Sequence, residues 1–329
     1  MTARGGWRFD KTFPPPRSRD YDRKPKDIPM TNTLRAAHRR ESLAGWLFIL
    51  PQIAGFLALV LIPTVLVMYY SLQERNLLFG TRSFVGLRNY ADIAGDPLFY
   101  KTLGNTLVFS LGAVPLNIGL SLVAAIFLAK NFRGAGFIRA SIFAPVVTSA
   151  VAWAIVWKFL LQGGDAGVIN RILALFGVAG PNWLREPGWA MVSVVVTRVL
   201  KNLGMNVLIL TGAMLNTPVE VIEAATIDGA RGWRMFSSIK IPLLSPTLIM
   251  VTIITVIGSL KVFDSIKLMT AGGPENSTMV LVYYIYYQGF QLFKTGYASA
   301  ASVILFAIIL CLTMIQWRLR GRLSWQEKE

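Results

Sequence analysis

The sequence predicts an all-α membrane protein with six transmembrane helices. Of its 329 residues, 54% are hydrophobic and only 15% are charged, whereas soluble domains carry about 25% charged residues. Six apolar stretches each approach the roughly 20 residues that a helix needs to cross the hydrocarbon core. A further helix, predicted near 218–228, is too short and too polar to span a bilayer, and it lies between the fourth and fifth stretches.

The predicted spans follow a polar segment, residues 1–43, which carries 11 Lys or Arg and five acidic residues. This composition is typical of a disordered tail, and the apolar stretch after it is long enough for an uncleaved anchor. Residues 44–317 form the predicted membrane domain, and residues 318–329 form a C-terminal tail. The spans are expected at about 45–70, 103–129, 140–160, 189–213, 241–263 and 297–317.

The distribution of Lys and Arg predicts that both termini are cytoplasmic. In this orientation the inside segments carry 21 basic residues and the outside segments carry nine, as the positive-inside rule requires. The loop 217–240 then faces the cytoplasm. The net charge of +16 is explained by loops held at an anionic membrane surface. We predict no nucleic-acid partner, because the sequence has neither a zinc finger nor an RNP motif.

The residues that membrane enzymes need are missing from the apolar stretches. The only histidine, His38, lies in the N-terminal tail, and the only cysteine, Cys311, lies in an apolar run. The sequence has no GxxxxGK[ST] phosphate loop and no Cys/His cluster that suits zinc. We therefore predict no catalytic residue, no metal and no cofactor in this chain. The remaining classes are transporters, channels, receptors and scaffolds, and active transport would need energy from a partner.

The polar helix near 218–228 has sequence signals at both ends. Thr217 and Glu220 have the spacing of a capping box, with Pro218 at the first helical position. Gly229 suits a left-handed stop. The i, i+3, i+4, i+7 rule places on one face Val221, Ala224, Ala225 and Asp228. The alanines permit close approach to another surface, although an ordinary loop helix would have the same signals.

Polar residues within the fourth and fifth spans allow two interpretations. Asn202 and Asn206 are four residues apart and share a helix face, next to Lys201 near the middle of the span. Ser259 and Lys261 lie near the outer end of the fifth span. These groups could pack helices together, or they could line a path for a hydroxyl-rich ligand.

The loop 217–240 resembles the EAA signature of ABC-importer permeases, E-A-A-x3-G-x9-I-x-L-P. The matching residues are Glu223, Ala224, Ala225, Gly229, Ile239 and Pro242, with Ile241 where the signature has Leu. Segments 84–90, 96–97, 105–106 and 270–274 are similar to motifs of carbohydrate permeases of the MalF/UgpA type. The resemblance covers about residues 45–317.

This resemblance implies a type I ABC importer permease fold in a bacterial inner membrane. It implies a second permease subunit, two ABC ATPase subunits that carry ATP and Mg, and an external solute-binding protein. It also implies an ATPase-coupling helix that contains Glu223, Ala224, Ala225, Asp228, Gly229 and Ala230. The implied solute is a sugar, a related polyol or glycerol phosphate, with Asn202, Asn206, Ser259 and Lys261 as candidate lining residues. The alternatives are a permease for a non-carbohydrate solute and a non-transporting membrane scaffold.

Overall fold

The computed structural model describes residues 45–130 and 132–323, with side chains as far as Arg318. The predicted disordered tail, residues 1–43, lies outside the described residues. The chain divides into two compact units, Met1–Pro63 and Thr64–Glu329. The described part of the first unit is helical and includes a π-helical stretch, Leu57–Leu61. The rest of the architecture belongs to the second unit.

The elements are named in chain order. The helices are α1 (Gly45–Ser71), α2 (Arg88–Ala94), α3 (Pro97–Leu128), α4 (Ala135–Val147), α5 (Ala150–Leu160), α6 (Val168–Leu175), α7 (Pro187–Leu215), α8 (Val219–Ile227), α9 (Gly232–Leu260), α10 (Leu281–Tyr286) and α11 (Thr295–Leu323). The strands are β1 (Gln73–Asn76) and β2 (Thr81–Phe84). Helix α9 contains a π-helical stretch, and two more flank α10: Phe236–Lys240, Ile266–Thr270 and Tyr287–Gln291.

Five helices in the described part of the chain are long and apolar enough to cross a membrane: α1, α3, α7, α9 and α11. Helices α4 and α5 together supply a sixth span if they count as one, although the pair is bent by 102°. The prediction of an all-α membrane protein with six spans is therefore confirmed. The third span differs from the expected continuous stretch, because its helix breaks at Thr148 and Ser149.

The second span begins six residues before its predicted start at 103. The side chain of Asp96 accepts a hydrogen bond from the backbone N–H of Leu98 at 2.8 Å, and Pro97 occupies the first helical position. A capping carboxylate followed by proline is a strong start for a helix. The polar first turn of α3 therefore belongs to the helix, although hydropathy alone excludes it.

Helices α3 and α7 run parallel to each other along much of their length. A Cβ on Gly112 of α3 would lie 3.4 Å from Val195 of α7, and one turn later the Asn117 side chain donates to the Val199 carbonyl at 3.1 Å. Helix α9 runs antiparallel to both. Because α3 and α7 start at the same end of the bundle, the short helix α8, which follows α7, lies at the other end.

The end of the bundle where α3 starts carries a β-hairpin, which the hydropathy pattern does not predict. Strands β1 and β2 pair antiparallel, with Gln73 opposite Phe84. The Asn89 side chain donates to the carbonyls of Ser71 and Gln73 at 2.8 and 2.9 Å. Gly296 at the start of α11 packs so closely that a Cβ there would lie 1.9 Å from the Gln73 carbonyl. We call this part the hairpin end.

Candidate functional site

Helix α8 ends in a complete Schellman motif. Gly229 has a left-handed φ of +81°, and its N–H donates to the Thr226 carbonyl at 3.1 Å. The next N–H, from Ala230, donates to the Ala225 carbonyl at 2.9 Å. In this motif the residue after the glycine packs against the residue five positions earlier, and both alanines are buried. The expected left-handed stop at Gly229 is therefore present.

The predicted capping box at the start of α8 is wrong. The N-cap residue is Pro218, and no side chain caps the helix. The hydroxyl of Thr217 instead donates back to the Ala213 carbonyl at 3.3 Å in the last turn of α7. A threonine hydroxyl can bond to backbone groups on either side of it in the chain. Here it bonds to the last turn of α7 and does not cap α8. Glu220 remains in the first turn of α8, where its charge suits the helix dipole.

The residues of the predicted coupling helix divide into two sets. Ala225 and Ala230 are buried against their own chain, so these two alanines shape the helix end and are not available to a partner. The other members of the set are exposed: Glu223, Ala224, Asp228 and Gly229. Ile227 is 86% exposed beside them. Helix α8 thus presents an apolar side chain and acidic groups on one short, capped segment.

A small polar cavity lies between α3, α7 and α9. Its volume is about 20 Å³, which is room for about one water molecule. Two predicted lining residues, Asn202 and Ser259, reach it, whereas Asn206 and Lys261 do not line it. Its walls are formed by Ala113, Asn117, Arg198, Val199, Asn202, Thr255 and Ser259.

Asn206 lies next to this cavity in a polar network that joins three helices. Its amide donates to the Asn117 side-chain oxygen at 2.6 Å and to the Thr255 hydroxyl at 2.9 Å. Asn117 in turn donates to the Val199 carbonyl. The helix-packing interpretation therefore describes Asn206 in this conformation. Thr255 was missed as a network member, although its spacing of four residues from Ser259 indicates a shared face.

The other two candidates on the fifth span have different surroundings. The Ser259 hydroxyl contacts the Ser110 hydroxyl at 3.0 Å and donates to the Val256 carbonyl. Lys261 is exposed at the end of α9. Arg198, at the cavity, donates to the Gly258 carbonyl at 3.3 Å. The cationic group nearest the cavity is therefore Arg198 and not Lys261.

Lys201 is held at the break between α4 and α5. Its ammonium group lies 2.5 Å from the Pro145 carbonyl, 3.3 Å from that of Val146 and 2.5 Å from that of Thr148. An ammonium has three N–H donors and no acceptor, so these carbonyls can use its full capacity. Lys201 is therefore not free to bind a solute in this conformation.

A cluster at the hairpin end ties three helices together. The Asp96 carboxylate accepts hydrogen bonds from the hydroxyls of Tyr284 at 2.5 Å and Tyr297 at 3.1 Å. Burial raises the pKa of the Asp96 carboxyl, but the bonds from Tyr284, the backbone N–H groups of Leu98 and Phe99, and Tyr297 together bring it below its usual value. Asp96 is therefore a charged structural anchor.

No group of three or more His, Cys, Asp or Glu residues in the described chain has the geometry to hold a metal ion. The polar groups described above serve hydrogen bonding between helices and caps. The short exposed helix α8 lies in the chain between α7 and α9, two of the three helices that form the cavity walls.

Comparisons with known proteins match this architecture. The profile of the family described as "Binding-protein-dependent transport system inner membrane component" matches residues 117–325. The lactose transport system permease protein LacF of Rhizobium radiobacter is 32% identical over 296 residues, with 88% of this chain and 98% of the relative covered. The trehalose/maltose transport system permease protein MalF of Thermococcus litoralis is 33% identical over 278 residues, covering 84% and 93%.

A third relative is the sn-glycerol-3-phosphate transport system permease protein UgpA of Agrobacterium fabrum, which is 31% identical over 276 residues and covers 83% of this chain and 93% of its own. Among solved structures, a chain of a bacterial ABC transporter for the acidic polysaccharide alginate has a TM-score of 0.77 at 21% identity, with 89% of this chain and 99% of that chain covered. At this level of identity the likeness concerns the fold.

Proposed function

This chain belongs to the family of inner membrane components of binding-protein-dependent transport systems, and we propose that it is the permease subunit of an ABC importer for a sugar, a related polyol or glycerol phosphate. The relatives support this solute class, because their names specify lactose, trehalose or maltose, and glycerol 3-phosphate. ATP hydrolysis on two partner ATPase subunits drives the transport. A second permease subunit and an external solute-binding protein complete the assembly.

The properties of helix α8 support the proposal, because they are those of a coupling helix. It is short, stopped by a Schellman motif and exposed on the face that holds Glu223 and Ile227. Its two neighbours in the chain, α7 and α9, form walls of the polar cavity. A displacement of α8 is therefore transmitted to both α7 and α9, because the chain joins α8 to each of them. Exposed Ile227 supplies apolar contact to the ATPase, and Glu223 and Asp228 supply acceptors for its N–H groups.

Closure of the ATPase subunits on ATP then moves α8 and, with it, α7 and α9. The cavity of about 20 Å³ is too small for a sugar, so a solute needs more space between these helices than this conformation offers. Moving α9 away from α3 and α7 widens this space. The motion is a transition between two conformations of the importer that ATP binds with different affinity.

In the open state, Asn202 and Ser259 are the first residues to meet the solute, since both already reach the cavity. Asn206 joins them if its bond to Thr255 separates as α9 moves. Amide and hydroxyl groups can both donate to and accept from sugar hydroxyls. Lys261, which lies at the end of α9, contributes less to solute binding.

The orientation follows from the charge distribution. Both termini and α8 face the cytoplasm, and the hairpin end faces outward, because the basic residues concentrate on the side of the termini and the α8 loop. The ATPases therefore meet α8, and the solute-binding protein meets the hairpin end.

Substitutions in α8 of the assembled importer test the proposal. We expect Glu223→Ala and Gly229→Ala to lower solute-stimulated ATP hydrolysis and uptake together, by about tenfold or more for Gly229→Ala. The alanine would need the left-handed conformation, which costs roughly 1–2 kcal/mol. Asp165→Ala removes one negative charge from an exposed residue in the loop between α5 and α6 and is the matched control. If both α8 variants hydrolyse ATP and transport like the unaltered complex, α8 is not the coupling helix.

The solute class is tested separately. Binding of lactose, maltose, trehalose and glycerol 3-phosphate to the cognate solute-binding protein, followed by uptake through the complete complex, measures it directly. We expect one of these chemical classes to bind and to stimulate ATP hydrolysis. Stimulation by amino acids or metal ions alone would replace the carbohydrate assignment with the non-carbohydrate alternative.

A further inference from the structure

The third span is broken beside Lys201, which lies near the middle of α7. Thr148 and Ser149 are extended, with ψ of 142° and 137°, and the helix axis turns by 102° between α4 and α5. A helix that ends inside the hydrocarbon leaves its last carbonyls without intrahelical partners, which is costly without water. Something else has to satisfy the carbonyls at the end of α4.

Lys201 of α7 satisfies them. Its ammonium contacts the carbonyls of Pro145, Val146 and Thr148, and the positive charge lies at the negative end of the α4 dipole. Lys201 is itself only 9% exposed. The bonds between its ammonium and these carbonyls therefore offset both the cost of burying the charge and the cost of leaving the carbonyls unpaired. Breaks of this kind in membrane transporters often coordinate a cation with freed carbonyls. Here the cation is a side chain of the same protein.

Helix α7 also holds both arms of the break. On the α5 side, the indole N–H of Trp153 donates to the Thr197 carbonyl at 3.0 Å. On the α4 side, Gly204 lies so close that a Cβ would be 2.3 Å from the Ile142 carbonyl. Thr197, Lys201 and Gly204 have the i, i+4, i+7 spacing of one helix face. This face of α7 therefore contacts both α4 and α5 and holds the bend between them.

We propose that Lys201 is a positioning residue for transport, which clamps the bend of the third span to α7 and lets the bend change as α7 moves. A lysine ammonium on a flexible four-carbon stem can exchange between neighbouring carbonyls, and the longer contact to Val146 already provides a second position. The clamp keeps the carbonyls satisfied while the angle between α4 and α5 changes. This inference rests on the proposed function, because α8 must move α7.

The first test measures the bend without altering Lys201. Spin labels are attached at Phe137→Cys and Phe159→Cys, which are exposed on α4 and α5, in a Cys311→Ser background because Cys311 is also exposed. The reconstituted complex is measured without nucleotide and with a non-hydrolysable ATP analogue. We expect the distance between the labels to differ between the two states. An unchanged distance in a complex that transports solute overturns the hinge and leaves the proposed function standing.

The second test restores the charge chemically. Lys201→Cys is purified in the same background and treated with a 2-aminoethyl or a methyl methanethiosulfonate. Loss of the partner of the carbonyls at the break predicts that the untreated and methyl-treated protein transports about tenfold more slowly or worse. The aminoethyl group, which rebuilds an ammonium, should recover most of the rate. Lys158→Cys, at an exposed lysine of α5, is the matched control and should respond to neither reagent.

Equal transport by untreated Lys201→Cys and the unaltered protein overturns the proposal, as does equal recovery with the methyl and aminoethyl reagents. A role in packing alone predicts that equal recovery, because both groups fill space, whereas the clamp requires the charge. Failure of the unaltered complex to couple ATP to uptake would instead count against the proposed function.

Discussion

Asp96 shows how one charged side chain can organise the hairpin end. Its carboxylate caps α3 through Leu98 and accepts the hydroxyls of Tyr284 and Tyr297 from two other helices. Asp96 precedes a proline in the sequence, which suits a cap, but its tyrosine partners are 188 and 201 positions away in the chain. Local spacing can predict the cap and cannot predict the long-range bonds, since these depend on how the helices pack.

We expect Asp96→Ala to lower the thermal unfolding midpoint of the purified protein at neutral pH, because the cap alone contributes about 1 kcal/mol. The folded-state pKa of Asp96 is lowered from 3.8, so its stabilising effect is complete above pH 3.8 and disappears as the pH falls through the lowered pKa. The difference in midpoint between the two proteins should therefore shrink below pH 3.8. Asp92→Ala, at a nearby exposed carboxylate, is the control. A difference that does not change with pH would contradict the ionised anchor.

Helices α7 and α4 approach each other closely at Gly204. A methyl group there would lie 2.3 Å from the Ile142 carbonyl and 2.9 Å from the Phe143 Cα, and backbone atoms cannot move aside cheaply. We expect Gly204→Ala to destabilise the protein by about 1–3 kcal/mol, measured by thermal or denaturant unfolding. Gly119→Ala in α3 is the matched control, because nothing lies within 4 Å of its Cβ position, and it should stabilise by about 1 kcal/mol. A Gly204→Ala protein as stable as the control would show that the two helices can separate.

Among the elements, hydropathy predicted the existence and order of the spans, while tertiary contacts set several of their details. The break at 148–149 has no strong signal of its own, because Pro145 lies within α4 and the helix continues past it. The lysine that satisfies the break lies more than 50 positions later. The start of α8 was mispredicted for a similar reason: Thr217 bonds back to α7.

The polar network and the cavity predict different roles for two asparagines on one helix. Asn206 bonds across α3 and α9, so Asn206→Ala should lower stability by about 0.6 kcal/mol or more. Asn202 reaches the cavity, and its replacement by Ala should raise the solute concentration for half-maximal stimulation of ATP hydrolysis and leave the unfolding midpoint within a degree or so. If the Asn202 variant lost stability and the Asn206 variant instead required more solute, Asn202 would be the packing residue and Asn206 the solute-binding residue.

The proposed functional features lie at two ends of one helix bundle. The exposed helix α8 lies at one end, the hairpin and the Asp96 cluster lie at the other, and the small polar cavity lies between helices that connect them. The sequence predicted α8 through its composition and its glycine stop. It could not decide which spans' polar groups face each other, because the spacing along one helix does not specify the register with another.

Contact between α8 and an ATP-hydrolysing subunit can be measured by photo-crosslinking. A photoreactive amino acid replaces Ile227, which is 86% exposed on α8, and in a separate control it replaces Phe79, which is 75% exposed at the hairpin. Each complex is irradiated in membranes, and the product is identified by mass spectrometry. We expect a crosslink to the ATPase subunit from position 227 and none from position 79. An assembled, transporting complex in which position 227 crosslinks only to lipid would contradict it.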